Sequence, residues 1–179
     1  MSATLFLVKR AKIGCVSGLV GGFAIFVSIF VIDLSIGSVP GAFYKVVGLP
    51  LGLLGTDATL FGMISHMLVA ALIGTVFGLG SGLGRKLEIQ SFKKGAVAGI
   101  VTGVVVFSAF FVPISTLVII PQIQQNPVAA SEAIFLISNV NFLMLGALEL
   151  HVVYGAIMGT FFAIAVRYET KRQILFQGV

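Results

Sequence analysis

Gly14–Phe30 reads GCVSGLVGGFAIFVSIF, and Gly95–Phe111 reads GAVAGIVTGVVVFSAFF. Gly14, Gly18, Gly22, Phe26 and Phe30 of the first stretch recur as Gly95, Gly99, Gly103, Phe107 and Phe111 of the second, each 81 residues on. A second pair of stretches repeats at an offset of 85: His66, Ala70, Gly74, Thr75, Phe77 and Gly78 against His151, Gly155, Gly159, Thr160, Phe162 and Ala163. Self-similarity at a fixed period marks a duplicated structural unit and takes precedence over local readings. The chain therefore reads as two tandem copies of one helical hairpin, the first over residues 9–84 and the second over 92–167, in a single domain covering 1–179.

Composition says what surrounds the hairpins. Hydrophobic residues make up 58% of the chain and charged ones 9%, with a mean hydropathy of +1.14. A soluble domain carries about 25% charged residues, so this chain lacks the polar surface to coat a globule. Four apolar runs reach the ~20 residues needed to cross a bilayer, at 13–32, 60–83, 95–120 and 142–166. The expected class is an all-α integral membrane protein with four transmembrane helices. The first run follows Lys9, Arg10 and Lys12 like a secretory signal, but it exceeds the ~7–15 residues of a signal core. It also has an internal duplicate, so a retained helix is expected.

Charge sets the expected orientation. Lys9, Arg10 and Lys12 precede the first span, Arg85, Lys86, Lys93 and Lys94 join the second to the third, and Arg167, Lys171 and Arg172 follow the fourth. Four spans put all of them on one side and leave Lys45 opposite. The positive-inside bias then places both termini in the cytoplasm of a cell (inner) membrane protein. Asp33, Asp57, Glu132 and Glu149 gather toward the other end. The net charge of +5 is thus a topology signal that contacts lipid, not a nucleic-acid surface. Two spans per copy restore the starting side, predicting a pseudo-twofold along the membrane normal.

Residues four apart share one helix face. The stripe Gly14, Gly18, Gly22 and its copy Gly95, Gly99, Gly103 clear that face for a neighbouring backbone, the usual basis of helix association in lipid. Gly74 and Gly78, then Gly155 and Gly159, do the same in the return helices. The glycines fall toward the basic end and the phenylalanines toward the acidic end, predicting a bundle tight at one end and splayed at the other. Between spans, residues 34–57 are expected to be irregular and too apolar for a solvated loop. Residues 121–141 are expected to be irregular with a short helix at 129–137, and Pro113 to kink the third span.

Ionisable residues inside a span mark functional sites by default. His66 and His151 lie roughly 8 Å and 5 Å beyond the midpoints of their spans at about 1.5 Å per residue, in the splayed half, with Glu149 two positions before His151. Three readings stay open: a packing hydrogen bond, a polar cavity or proton path, and a metal. Met63 and Met67 flank His66 at helical spacing, and Met144, His151 and Met158 recur every seven residues. Thioether and imidazole donors suit copper, although methionine also fills gaps in apolar cores. The sequence requires no cofactor. Cys15 stands alone, ruling out an internal disulfide. No metalloprotease motif, nucleophile elbow or phosphate loop occurs, and the expectation is a non-enzyme. The ending Leu175–Gly178 resembles an engineered protease-recognition site and reads equally well as native chain, so it carries no functional reading.

The paired pattern G-x3-G-x3-G, then H-x3-[AG]-x3-G-T-x-F, resembles the small four-helix inner-membrane proteins of the YagU-like type, whose biochemical role is undefined. Gly95–Gly103 with Pro113 and Pro121, and His151, Gly155 and Gly159, carry that likeness. The duplicated helices, apolar outer loop and Met/His content also resemble the accessory subunits of archaeal ammonia monooxygenase, a copper membrane enzyme. That likeness implies a subunit packed beside catalytic chains without holding their copper. The expected function is a non-catalytic accessory or scaffolding subunit whose partners are other transmembrane chains and lipid. The alternative is a small oligomeric channel or transporter using His66 and His151.

Overall fold

The structure, a computed structural model, describes residues 3–84, 86–89 and 91–177; Arg85 of the basic connection and Gly178 of the C-terminal tail lie outside the described residues. Its helices are α1 (Ala3–Ser35), α2 (Ala42–Gly48), α3 (Gly55–Gly82), α4 (Phe92–Gln125), α5 (Pro127–Glu132), α6 (Ile134–Ser138) and α7 (Val140–Gln177). No strand occurs among the described residues. Four helical segments are long and apolar enough to cross a membrane: Thr4–Ser35, Gly55–Gly82, Phe92–Gln125 and Val140–Arg172. The chain is an all-α protein of the multi-pass membrane class.

Each span is longer than its apolar run. At 28 to 34 residues they measure about 42–51 Å, against a hydrocarbon core of about 30 Å. Helix continues past the apolar limits because nothing there breaks it. Ser91 begins α4 by accepting the Lys94 N–H at 3.2 Å, the usual way a serine satisfies a free amide at a helix start. Asn126 does the same for α5, accepting from Val128 and Ala129 at 3.0 and 3.2 Å.

Two prolines fall inside α4, and the helix passes both. The Val112 N–H reaches back five residues to the Phe107 carbonyl, and the Ile120 N–H five residues to that of Ser115. Each widened turn ends on the residue before a proline, Pro113 or Pro121. A proline ring collides with the carbonyl four residues back, and a π-type turn gives the backbone room to avoid it. Two widened turns thus precede Pro113 and Pro121, and the second connection starts at Asn126, not Pro121.

Within each hairpin the long helices meet backbone to backbone. A Cβ on Gly14 would strike the Gly74 carbonyl, one on Gly18 the Ala70 carbonyl and one on Gly78 that of Arg10. Gly22 packs on the Ala70 Cβ. In the second hairpin Gly95 meets the Gly159 carbonyl, Gly99 that of Gly155 and Gly103 that of His151. The stripe and its repeat thus occupy matched contacts.

The hairpins meet through α1 and α7. Gly21 receives the Tyr154 ring, and Tyr154 Oη donates to the Ala70 carbonyl at 2.8 Å. Phe77 and Phe162 cross edge-on at 5.3 Å. A strict twofold would pair α3 with α4 in the same way, but those helices make no more than marginal contact among the described residues. At the basic end Lys9 pairs with Glu169 at 3.2 Å and Arg10 with Glu88 at 3.5 Å. These two acids temper a flank that the sequence presents as almost wholly cationic.

The first outer connection is ordered rather than irregular. Asp33, fully buried, accepts the Gly41 and Ala42 N–H groups on Oδ2 at 2.6 and 3.0 Å, folding α2 back onto α3. Gly62 admits the Tyr44 carbonyl, and Gly48 packs on the Ala58 backbone. The expected helix at 129–137 is two short pieces, α5 and α6, which break at Ala133.

Candidate functional site

The gap between α3 and α4 is a cavity of about 310 Å³ in the acidic half of the bundle. Ile25 and Ile29 of α1 form its back, α2 roofs it with Phe43 and Tyr44, and Leu150 and Tyr154 of α7 form its floor. Its walls are apolar except for Ser65, His66, Ser115, His151, Tyr44 and Tyr154. Glycine contacts draw the helices of each hairpin together toward the basic end. The cavity lies in the other half, the one that the stripe predicts to be wider.

His66 and His151 line the same cavity from opposite hairpins. His151 Nδ1 lies 2.6 Å from the Ala147 carbonyl. A carbonyl only accepts, so Nδ1 carries the proton, and in the neutral form of the ring Nε2 is then the acceptor. Its ring packs against Phe107 and Phe111 at 5.6 and 5.3 Å. His66 packs edge-on against Tyr44 at 5.4 Å. Its Nε2 is buried without a hydrogen bond of ordinary geometry, and the backbone of Gly22 lies close to the ring. Tyr44 is 3% exposed, and its hydroxyl also lacks a partner. Buried polar groups are normally satisfied, so two orphans at one cavity need a physical reason.

The other residues singled out in the sequence fall elsewhere. Glu149 is exposed and lies outside the cavity, making no hydrogen bond or ion pair among the described residues. Its place two residues before His151 turns it to a different face of α7, so the grouping of Glu149 with the histidines does not hold. Met63 packs beside Ile25, Ile29 and Tyr44, and the Met67 sulfur sits against α1 near Gly22. Neither methionine lines the cavity beside His66. Among the described residues no group of three or more His, Cys, Asp or Glu side chains is placed to hold a metal.

Sequence reasoning missed Tyr44, Tyr154 and the roof helix. The signal was present in Gly48 and Gly62, a second set of small residues at the acidic end, but their partners are set by the fold of the connection. At the same end Lys45 pairs with Glu132 at 3.0 Å, and Glu132 also accepts the Gly55 N–H at 2.9 Å. That amide and then Lys45 hold the Glu132 carboxyl below its ordinary range.

Fold and site together define a multi-pass, all-α membrane protein with a side-open apolar cavity that bears two histidines. Compared with known protein families, curated proteins and solved structures, the chain matches none.

Proposed function

We propose that the chain is a non-catalytic accessory subunit that packs against other transmembrane chains in a cell (inner) membrane, with both termini cytoplasmic. Glu149 carries this reading. It sits roughly 8 Å beyond the midpoint of the fourth apolar run, on the outside of α7. A carboxylate at the centre of a lone helix costs about 2.5–3.5 kcal/mol to insert, and such groups face protein or water rather than lipid. Glu149, Ala156 and Thr160 share one face of α7, being 7 and 11 residues apart at about 3.6 residues per turn. A shallow groove lined by Val20, Ala156, Ile157 and Thr160 runs along that side. The Thr75 hydroxyl bonds its own helix at Ala71, whereas its repeat-mate Thr160 makes no hydrogen bond among the described residues. A carboxylate, a free hydroxyl and a shallow groove fit a neighbouring helix that brings a hydrogen-bond donor or a cation. Accessory subunits of a copper membrane monooxygenase such as archaeal ammonia monooxygenase are one setting of this kind.

Isolation of the tagged chain from its native membrane in mild detergent tests the proposal. Other transmembrane chains should co-purify, and Glu149→Leu should deplete them while Glu149→Gln retains a part. A monodisperse lone monomer in the wild type overturns the subunit reading. The second reading, a channel or transporter, draws on the two histidines in one cavity. Against it, the fully buried Met158 and Phe162 follow Tyr154 toward the basic end and put apolar side chains beyond the cavity there. Unchanged proteoliposome flux in His66→Ala and His151→Ala would remove the histidines from any such path.

A further inference from the structure

We propose that the cavity between α3 and α4 binds one neutral long-chain amphiphile headed by a hydroxyl group, taken up sideways from the membrane. Three observations select this chemistry. The cavity reaches the lower end of the size range of small-molecule sites, roughly 300–1,000 Å³, and has their make-up of apolar walls with a few polar groups. Its mouth is lateral: Val69 of α3 and Phe110 and Ile114 of α4 line it and are also 51%, 59% and 50% exposed. A ligand entering there arrives from among the acyl chains.

The polar groups define the head. Tyr44 Oη is buried without a partner and can donate or accept; His66 Nε2 is likewise orphaned. The bond from His151 Nδ1 to Ala147 leaves its Nε2 as an acceptor. A hydroxyl serves both kinds of group, giving its proton to an imidazole nitrogen and accepting that of Tyr44. An ether or ketone can only accept, which leaves the imidazole acceptor unmet. Anionic heads are disfavoured because no Lys or Arg lines the cavity, and Lys45 is engaged by Glu132. Glu149 does not line this cavity, so the proposal does not rest on the accessory-subunit reading.

The test uses the purified full chain in nanodiscs, with hexadecanol carrying a photoactivatable diazirine in its chain. Labelled residues are mapped by mass spectrometry. Labelling at Val69, Phe110 and Ile114 should exceed that at Phe23 and Val27, exposed apolar residues of α1. Unlabelled hexadecanol should compete, while its methyl ether and palmitate should compete at least fivefold less well. Tyr44→Phe, which removes one hydrogen bond and keeps the ring, should lower cavity labelling about fivefold. Competition on the wild-type chain stands by itself if that variant folds poorly. Equal competition by all three heads, or cavity labelling no higher than at Phe23, overturns the proposal. The second result would mean that water or an unselected acyl chain fills the space.

Discussion

Gly99 shows how much one missing side chain decides. Its α-carbon faces the Gly155 carbonyl so closely that a Cβ would enter it, and Gly155 faces the Gly99 carbonyl in return. Neither side has a flexible chain end that could swing away. Gly99→Ala must therefore push α4 off α7, at about the 1–3 kcal/mol usual for overpacking. Gly80 offers a control within the same bundle, because a Cβ there would meet nothing within 4 Å. Gly80→Ala should be neutral or slightly stabilising, since glycine costs about 0.5–1 kcal/mol relative to alanine inside a helix. Thermal unfolding in detergent should lower the melting temperature for Gly99→Ala and leave it unchanged or higher for Gly80→Ala. Equal melting temperatures would mean that the glycine contacts contribute nothing.

Among the elements, the connections at the acidic end carry more order than their composition implies. Glu132 of α5 ties three pieces together by accepting from Gly55 at the start of α3 and pairing with Lys45 of α2. Its carboxyl is held below the ordinary glutamate value of 4.5, first by the Gly55 amide and then by Lys45. A depressed acid stabilises the folded state fully above its ordinary pKa, and that contribution disappears as pH falls through the lowered value. Hydrogen exchange of the Gly55 amide should thus be slow at neutral pH. Corrected for intrinsic rate, it should lose protection below about pH 4.5. Glu132→Gln should abolish the pH dependence. Protection that persists unchanged into acid would show that this clasp does not hold α2 and α5 to α3.

Across the whole molecule, the join between the hairpins is one-sided. α1 and α7 pack, whereas α3 and α4 stand apart, and the cavity occupies the side the twofold leaves unfilled. Tyr154 is central to that join, because its hydroxyl reaches from α7 to the Ala70 carbonyl of the other hairpin. Its repeat-mate is Val69, which carries no such hydroxyl and faces the mouth of the cavity. Tyr154→Phe keeps the ring packing and should cost about 0.6–1 kcal/mol, as for other hydrogen bonds between membrane helices. The loss should appear as easier separation of the hairpins in a chain split within the 84–91 connection. Unaltered association of the halves would assign the join to apolar packing alone.

The sequence by itself determined the four apolar helices, their pairing as two hairpins and the glycine faces. These follow from periodicity and composition: a run of some 20 apolar residues has one stable form in lipid, and a bare glycine stripe has one use there. It also singled out His66 and His151, since an imidazole stands out in an apolar span. Tertiary structure alone decided that both rings face one cavity, that Glu149 points away from them, and that Tyr44 comes down from a connection to join the site. It also decided that the duplication is not kept at the hairpin interface. Those outcomes depend on contacts that apolar periodicity does not encode. Two of them set the site: Asp33 on the Gly41 and Ala42 amides, eight and nine residues on, folds the roof over, and Tyr154 on Ala70, far away in the chain, fixes one hairpin against the other. Neither leaves a recognisable pattern: the Asp33 bonds need the turn at 36–41 to bring two amides onto one carboxylate oxygen, and the Tyr154 bond needs the two hairpins already packed together.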